Sequence, residues 1–92
     1  MKLLLIFLSS LFLEANTCYT EGNFTEAAKK YEQSIAAQPS AEVYYNLGNT
    51  YFKLYEQDSL RGNLAQSILA YERALRIQPA NENTQYNLEY AK

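Results

Sequence analysis

The chain has 92 residues, which is enough for one small domain. Its 8 basic and 10 acidic residues give a net charge of −2, which argues against a nucleic-acid partner, for which a basic stripe is expected. With no histidine and one cysteine, the sequence excludes an internal disulfide, a His/Cys metal site and histidine-based catalytic triads.

The N-terminus carries a leucine-rich apolar run over 3–13, directly after Lys2. The run is too short for a transmembrane helix, which needs about 20 residues. Its position after a basic residue is typical of an export signal, although no Ala-x-Ala cleavage site follows. Residues 1–14 are therefore interpreted as a signal peptide or as the apolar start of the first helix. A signal predicts an exported, periplasmic or membrane-associated protein, and its absence a cytoplasmic one.

The first predicted hairpin turns at Gly22, which follows a helix ending near Thr20. Asn23 is predicted to cap the next helix, with Glu26 as its capping-box partner. That helix is expected over 24–37 and is ended by Pro39. Its apolar residues recur at spacings of three and four, as one buried face requires: Phe24, Ala27, Ala28, Tyr31 and Ile35.

The second predicted hairpin begins with a helix from Ala41 to about Leu54. Gly48 inside it costs about 1 kcal/mol of helix propensity, which close approach of the following helix would explain. That following helix is predicted to start with Asn63 as its N-cap and to end before Pro79. Residues 55–61 either extend the first helix by about two turns or form a loop, because both are compatible with the sequence.

Two long segments of the chain repeat after 40 residues. Gly-Asn-Phe-Thr-Glu-Ala at 22–27 returns as Gly-Asn-Leu-Ala-Gln-Ser at 62–67, and Gln-Pro at 38–39 returns at 78–79. Tyr-Glu-Gln-Ser-Ile at 31–35 returns as Tyr-Glu-Arg-Ala-Leu at 71–75. A helical repeat of this kind buries its apolar face by stacking on its neighbours.

These residues resemble the tetratricopeptide repeat (TPR), whose unit of about 34 residues is a helical hairpin followed by proline. The resemblance covers 15–92, with units at about 15–40, 41–80 and a partial unit at 81–92. Compared with the family spacing, the second unit has seven extra residues, at 55–61. It implies an all-α solenoid of two hairpins and a final helix starting near Asn81. Glu89 replaces the glycine expected there, so this helix either caps the stack or belongs to a longer array.

A narrower resemblance involves Ala15-Asn16, the segment 44–49 and the segment 86–89. These motifs are similar to the BatE-type TPR proteins of bacterial aerotolerance operons. That resemblance implies an exported, membrane-associated bacterial scaffold whose molecular activity is protein binding. The N-terminal apolar segment would provide the membrane association.

Catalytic chemistry is not predicted. Cys18 has no basic neighbour that would activate a thiolate, and the glutamates are scattered over helix surfaces. The three glycines are isolated, so no phosphate-binding loop is present. We therefore expect no enzyme, no cofactor and no metal site.

The TPR resemblance predicts a groove lined by the first helix of each unit. The residues that map to it are neutral, aromatic and amide-bearing for the most part: Asn16, Tyr19, Thr20, Glu42, Tyr45, Asn49, Phe52, Lys53, Asn83, Tyr86 and Tyr90. Asparagine side chains suit a peptide backbone because they both donate and accept hydrogen bonds. The predicted function is binding of a partner peptide, and the alternative is a structural module that self-associates to complete its stack.

Overall fold

Five α-helices make up the fold of this computed structural model, which describes residues 2–92, with side chains from residue 10 onwards. The helices are α1 (Lys2–Thr20), α2 (Phe24–Ala37), α3 (Ala41–Asp58), α4 (Arg61–Ile77) and α5 (Glu82–Ala91). Each helix packs against the next, and α5 also reaches α3. The all-α architecture of two hairpins and a final helix is confirmed.

The α1–α2 turn is built on Gly22, whose φ is +81°. Its N–H donates to the Tyr19 carbonyl at 3.0 Å, and the Asn23 N–H donates to the Cys18 carbonyl at 2.8 Å, the pair of bonds that defines a Schellman motif. Asn23 precedes α2 as predicted, but its side chain makes no capping hydrogen bond. The predicted capping box is wrong, because the Asn23 N–H that Glu26 would accept from is already used.

Residues 55–61 are divided between the end of α3, the α3–α4 turn and the start of α4. α3 continues to Asp58, Ser59 takes a left-handed conformation with φ 57°, and α4 starts at Arg61. The Asp58 carboxylate accepts from the Leu60 N–H and from Asn63 Nδ2, both at 2.9 Å. The extra residues therefore lengthen the hairpin. The predicted N-cap at Asn63 is wrong, because its amide is bound to Asp58 and Leu60 occupies the cap position.

Close packing of α3 against α4 centres on Gly48. A Cβ atom built there would lie 2.5 Å from Tyr71 Cε1, and Ser67 Oγ donates to the Gly48 carbonyl at 2.8 Å. The close approach predicted for Gly48 is confirmed. The rest of the core joins α1, α2 and α3 through Ala15, Tyr31 and Leu47.

α5 closes the described part of the stack with Thr84, Leu88 and Ala91 buried. Its N-cap is Asn81, whose side chain accepts from the Thr84 N–H at 2.9 Å. Glu89 has 76% of its side chain exposed and pairs with Lys92 at 3.6 Å, so this side of α5 is solvated.

The export signal predicted within 1–14 falls mostly on residues 1–9, whose side chains lie outside the described part of the structure. α1 runs as one helix from Lys2 to Thr20. Among the described helices, none is long and apolar enough to cross a bilayer.

Candidate functional site

Two cavities in the helical stack share the lining residues Tyr19 and Asn49, and we refer to these two compartments together as the groove. The narrow compartment has a volume of about 190 Å³ and is lined by Asn16, Tyr19, Thr20, Tyr31, Asn46 and Asn49. The wide compartment has a volume of about 370 Å³ and is lined by Tyr19, Asn49, Phe52, Lys53, Glu56, Tyr71, Tyr86, Asn87 and Tyr90. α1, α3 and α5 supply most of these side chains, as a stack of repeats predicts.

Most residues predicted for the groove are brought together there. Those that line one or both compartments are Asn16, Tyr19, Thr20, Asn49, Phe52, Lys53, Tyr86 and Tyr90. Among the described side chains, Glu42, Tyr45 and Asn83 line neither compartment. Glu42 and Asn83 are exposed on their helices. Tyr45 is half-buried, and its ring centroid lies 6.1 Å from that of Tyr71.

Five lining residues were not predicted from the sequence: Tyr31, Asn46, Glu56, Tyr71 and Asn87. Tyr31 lies in the apolar stripe of α2, as Tyr71 does in that of α4, so each reads as a core residue although its hydroxyl reaches the groove. Glu56 lies in the lengthened part of α3, which brings its carboxylate to the wide compartment. Tyr31 and Tyr71 occupy equivalent positions of the two repeats, and this recurrence is the sequence signal that could have identified them as groove residues.

An asparagine–tyrosine pair recurs in both hairpins. The Tyr31 hydroxyl donates to Asn16 Oδ1, and the Tyr71 hydroxyl donates to Asn49 Oδ1 at 2.5 Å. In each case the asparagine is on the first helix of the hairpin and the tyrosine on the second. The carbonyl oxygen of each amide thereby accepts a hydrogen bond within the protein, and its NH₂ group can donate to a ligand in the groove.

α5 joins this network through Asn87. Asn87 Nδ2 donates to Asn49 Oδ1 and to the Tyr45 hydroxyl, each at 3.1 Å. Asn49 Oδ1 therefore accepts from both Tyr71 and Asn87. These bonds hold Asn49 and Tyr45 in fixed positions, so both contribute to the structure of the groove wall.

Burial raises the pKa of several tyrosine hydroxyls. It raises the pKa of Tyr31 to about 12 and raises the pKa of Tyr71 as well. Burial also raises the pKa of Tyr51, whose hydroxyl donates to Glu32 Oε1 at 2.5 Å outside the groove. Tyrosine is protonated at neutral pH in any case, so Tyr31 and Tyr71 donate to Asn16 and Asn49 there, and the raised pKa extends this range to more alkaline pH.

Aromatic side chains form the wide compartment. The rings of Phe52 and Tyr90 lie 5.7 Å apart at an interplanar angle of 64°, which makes a corner. Tyr86 and Tyr90 are 70% and 71% exposed, so their rings are accessible to a ligand. Lys53 and Glu56 form an ion pair at 3.6 Å beside these rings.

Metal-ligating side chains do not cluster among the described residues. None of them form a group of three or more histidine, cysteine, aspartate or glutamate side chains that could hold a metal ion. The thiol of Cys18 is half-buried against the core. The groove therefore provides amide donors, tyrosine hydroxyls, aromatic rings and one ion pair, which are groups that bind a ligand.

Comparison with known proteins agrees with this geometry. Residues 15–54, which include the C-terminal part of α1, all of α2 and most of α3, match the family model described as TPR repeat. No curated protein matches the chain. TPR repeats are typically non-catalytic and generally bind other proteins. The chain therefore contains a TPR repeat at 15–54, within a stack of five helices.

Proposed function

We propose that this protein is a protein–protein interaction module whose groove holds an extended peptide segment of its partner. The observation that carries the proposal is the pair Tyr86 and Tyr90, which are about 70% exposed on one face of α5 and line the wide compartment. Tyrosine is enriched among residues that contribute most to binding energy, because it buries a large ring and keeps a polar hydroxyl.

The narrow compartment supports an extended backbone as the ligand. Asn16 and Asn49 use their carbonyl oxygens inside the protein, so they offer N–H groups to the groove. N–H groups bind carbonyl oxygens, which a peptide backbone supplies at regular intervals. The internal bonds also fix both amides before the ligand arrives, which lowers the entropic cost of binding.

Site-specific photocrosslinking tests the proposal. A benzoylphenylalanine at position 86 faces the wide compartment, whereas one at position 73 lies on α4 outside both compartments. We expect position 86 to crosslink to one continuous peptide segment of a partner and position 73 to give no such product. Equal crosslinking to the same segment from both positions would exclude the groove as the site.

The cellular setting that we propose is an exported bacterial scaffold, on the basis of the apolar run at 3–13 and the resemblance to the BatE-type TPR proteins. Mass spectrometry of the protein isolated from its own cells tests this. A mature N-terminus near residue 15 is expected, and an intact Met1 in the membrane-free fraction would contradict export.

Self-association is the alternative function, and one observation favours it. Leu13 is 62% exposed on α1, at the end of the stack opposite α5. An apolar side chain in that position could be covered by a second copy. Sedimentation velocity over a concentration series decides the question, because a dimer that Leu13→Glu dissociates and that Tyr86→Ala leaves intact would support self-association.

A further inference from the structure

We infer that the wide compartment binds the guanidinium group of an arginine side chain on the partner peptide. The inference rests on the proposed function and adds the chemistry of one ligand side chain to it. It comes from three features of the compartment: its aromatic walls, the carboxylate of Glu56, and the weak ion pair that this carboxylate makes with Lys53.

Aromatic rings favour a cation in this compartment. Phe52 and Tyr90 meet at 64°, and Tyr86 is exposed beside them, so aromatic rings border the space from more than one side. The face of an aromatic ring carries partial negative charge and attracts cations. Guanidinium is planar and weakly hydrated, so it stacks on such faces more readily than an ammonium group does.

Glu56 supplies the full negative charge. Its carboxylate lines the compartment and is half-exposed, so it can accept two parallel N–H bonds from a guanidinium. Lys53 pairs with it at 3.6 Å, but both side chains are about half exposed, with 48% and 51% accessible. Pairs of this kind contribute little to stability, so an arriving arginine can replace Lys53, whose flexible stem reaches solvent.

Other ligand side chains fit less well. An acidic side chain could pair with Lys53 but would lie among aromatic faces and next to Glu56, both of which repel it. An aliphatic side chain would remove water from Glu56 and from the tyrosine hydroxyls without giving them a hydrogen bond in return. Arginine is the side chain that satisfies both the rings and the carboxylate.

Glu56 is present in the groove because of the extra residues in the second hairpin. α3 continues to Asp58 because the turn is postponed to Ser59, and Glu56 lies in the last turns of this helix. The specificity for arginine is thus a property of the lengthened hairpin. The narrow compartment, which does not include Glu56, is not expected to share it.

An NMR titration with N-acetylarginine methylamide tests the inference, with the citrulline analogue as a neutral probe of the same shape. We expect the arginine probe to shift the backbone amide signals of residues 52, 56, 86 and 90. Its affinity should exceed that of the citrulline probe by about fivefold or more at low salt, and the difference should shrink as salt rises. Equal affinities for the two probes, or no shift with arginine, would overturn the inference.

Single substitutions separate the contributions of the carboxylate, the ion pair and the aromatic ring to arginine binding. Glu56→Gln should weaken the arginine probe by about fivefold and leave citrulline unchanged, because it removes only the charge. Glu72→Gln, an exposed position on α4 outside the groove, is the matched control and should change neither. Lys53→Gln should strengthen arginine binding about twofold by freeing Glu56. Tyr90→Leu keeps an apolar contact and should reduce the preference for arginine.

Peptide libraries distinguish failure of this inference from failure of the proposed function. Each sublibrary is a heptapeptide pool with random flanking residues and arginine, leucine or glutamate fixed at the centre. Tightest binding by the arginine pool supports the inference. Tightest binding by the leucine or glutamate pool would overturn it while leaving a peptide-binding groove. No shift in the groove from any pool would contradict both.

Discussion

The ring of Tyr71 occupies the space that a side chain at position 48 would need. A Cβ atom on Gly48 would lie 2.5 Å from Tyr71 Cε1 and 2.6 Å from Cδ1. The hydroxyl of the same ring donates to Asn49, the next residue of α3. One tyrosine thus fixes both the spacing of α3 and α4 and the orientation of an amide that lines the groove.

Gly48→Ala should therefore destabilise the protein by about 1–3 kcal/mol, despite the better helix propensity of alanine, because the Tyr71 ring must move. Gly62→Ala is the control, because a Cβ there meets nothing within 4 Å. That variant should be neutral or more stable by up to about 1 kcal/mol. Urea unfolding measures both, and a Gly48→Ala variant as stable as wild type would show that α3 and α4 do not approach this closely.

The bond between Tyr71 and Asn49 should appear as a coupling energy. Tyr71→Phe removes the donor, Asn49→Ala removes the acceptor, and each should cost about 1–2 kcal/mol. The destabilisation of the double variant should be smaller than the sum of the two single destabilisations by about 0.5–1.5 kcal/mol. Strict additivity would show that the bond contributes nothing to stability.

Stability should fall at alkaline pH. Burial raises the pKa of Tyr31 to about 12 in the folded protein, above its ordinary value of 10.0, so folding favours the neutral phenol. Its contribution is complete below pH 10 and is lost between about pH 10 and 12, at up to about 1.4 kcal/mol per pH unit for one group. Tyr71 and Tyr51 act in the same direction.

Urea unfolding over a pH series from about 8 to 11.5 checks this dependence, with Tyr31→Phe as the variant that lacks one of the groups. The free energy of unfolding should be level from pH 8 to about pH 9.5 and should decline above pH 10, and less steeply in Tyr31→Phe. A level curve to pH 11.5 in wild type would contradict the burial of these hydroxyls.

Asp58 should be required for the α3–α4 turn. Asp58→Ala removes the acceptor for the Leu60 N–H and for Asn63, and should cost about 1 kcal/mol in thermal or urea unfolding. Asp58→Asn keeps an oxygen for the Leu60 N–H and should recover more than half of that loss. Equal losses in the two variants would indicate that charge, and not the hydrogen bond, holds the turn.

The helices and the α3–α4 contact could be predicted because they depend on local patterns. Apolar residues at spacings of three and four predicted α2, and Gly48 predicted the close approach of the following helix. The predicted capping box of Asn23 and Glu26 failed because the Schellman turn uses the Asn23 N–H, and the predicted cap at Asn63 failed because Asp58 binds the Asn63 amide. Such competition depends on how the turn closes in space.

Eight of the eleven residues predicted for the groove line one or both of the two compartments, and the polar network among the lining residues was not predicted. Tyr31 and Tyr71 lie on apolar faces, and only the assembled stack shows their hydroxyls meeting Asn16 and Asn49. Glu56 could not be placed while residues 55–61 were compatible with either a helix or a loop. Its position follows from the continuation of α3 to Asp58.

Titration of the partner against Tyr90→Ala and Arg73→Ala tests the central claim most directly. Tyr90 lines the groove and is 71% exposed, so its truncation should remove binding contacts with little effect on the fold. Arg73 is an exposed residue of α4 outside both compartments of the groove. The account predicts that Tyr90→Ala weakens binding by about 1–2 kcal/mol and that Arg73→Ala leaves it unchanged. Equal losses from the two variants, or no loss from Tyr90→Ala, would contradict a partner site in the groove.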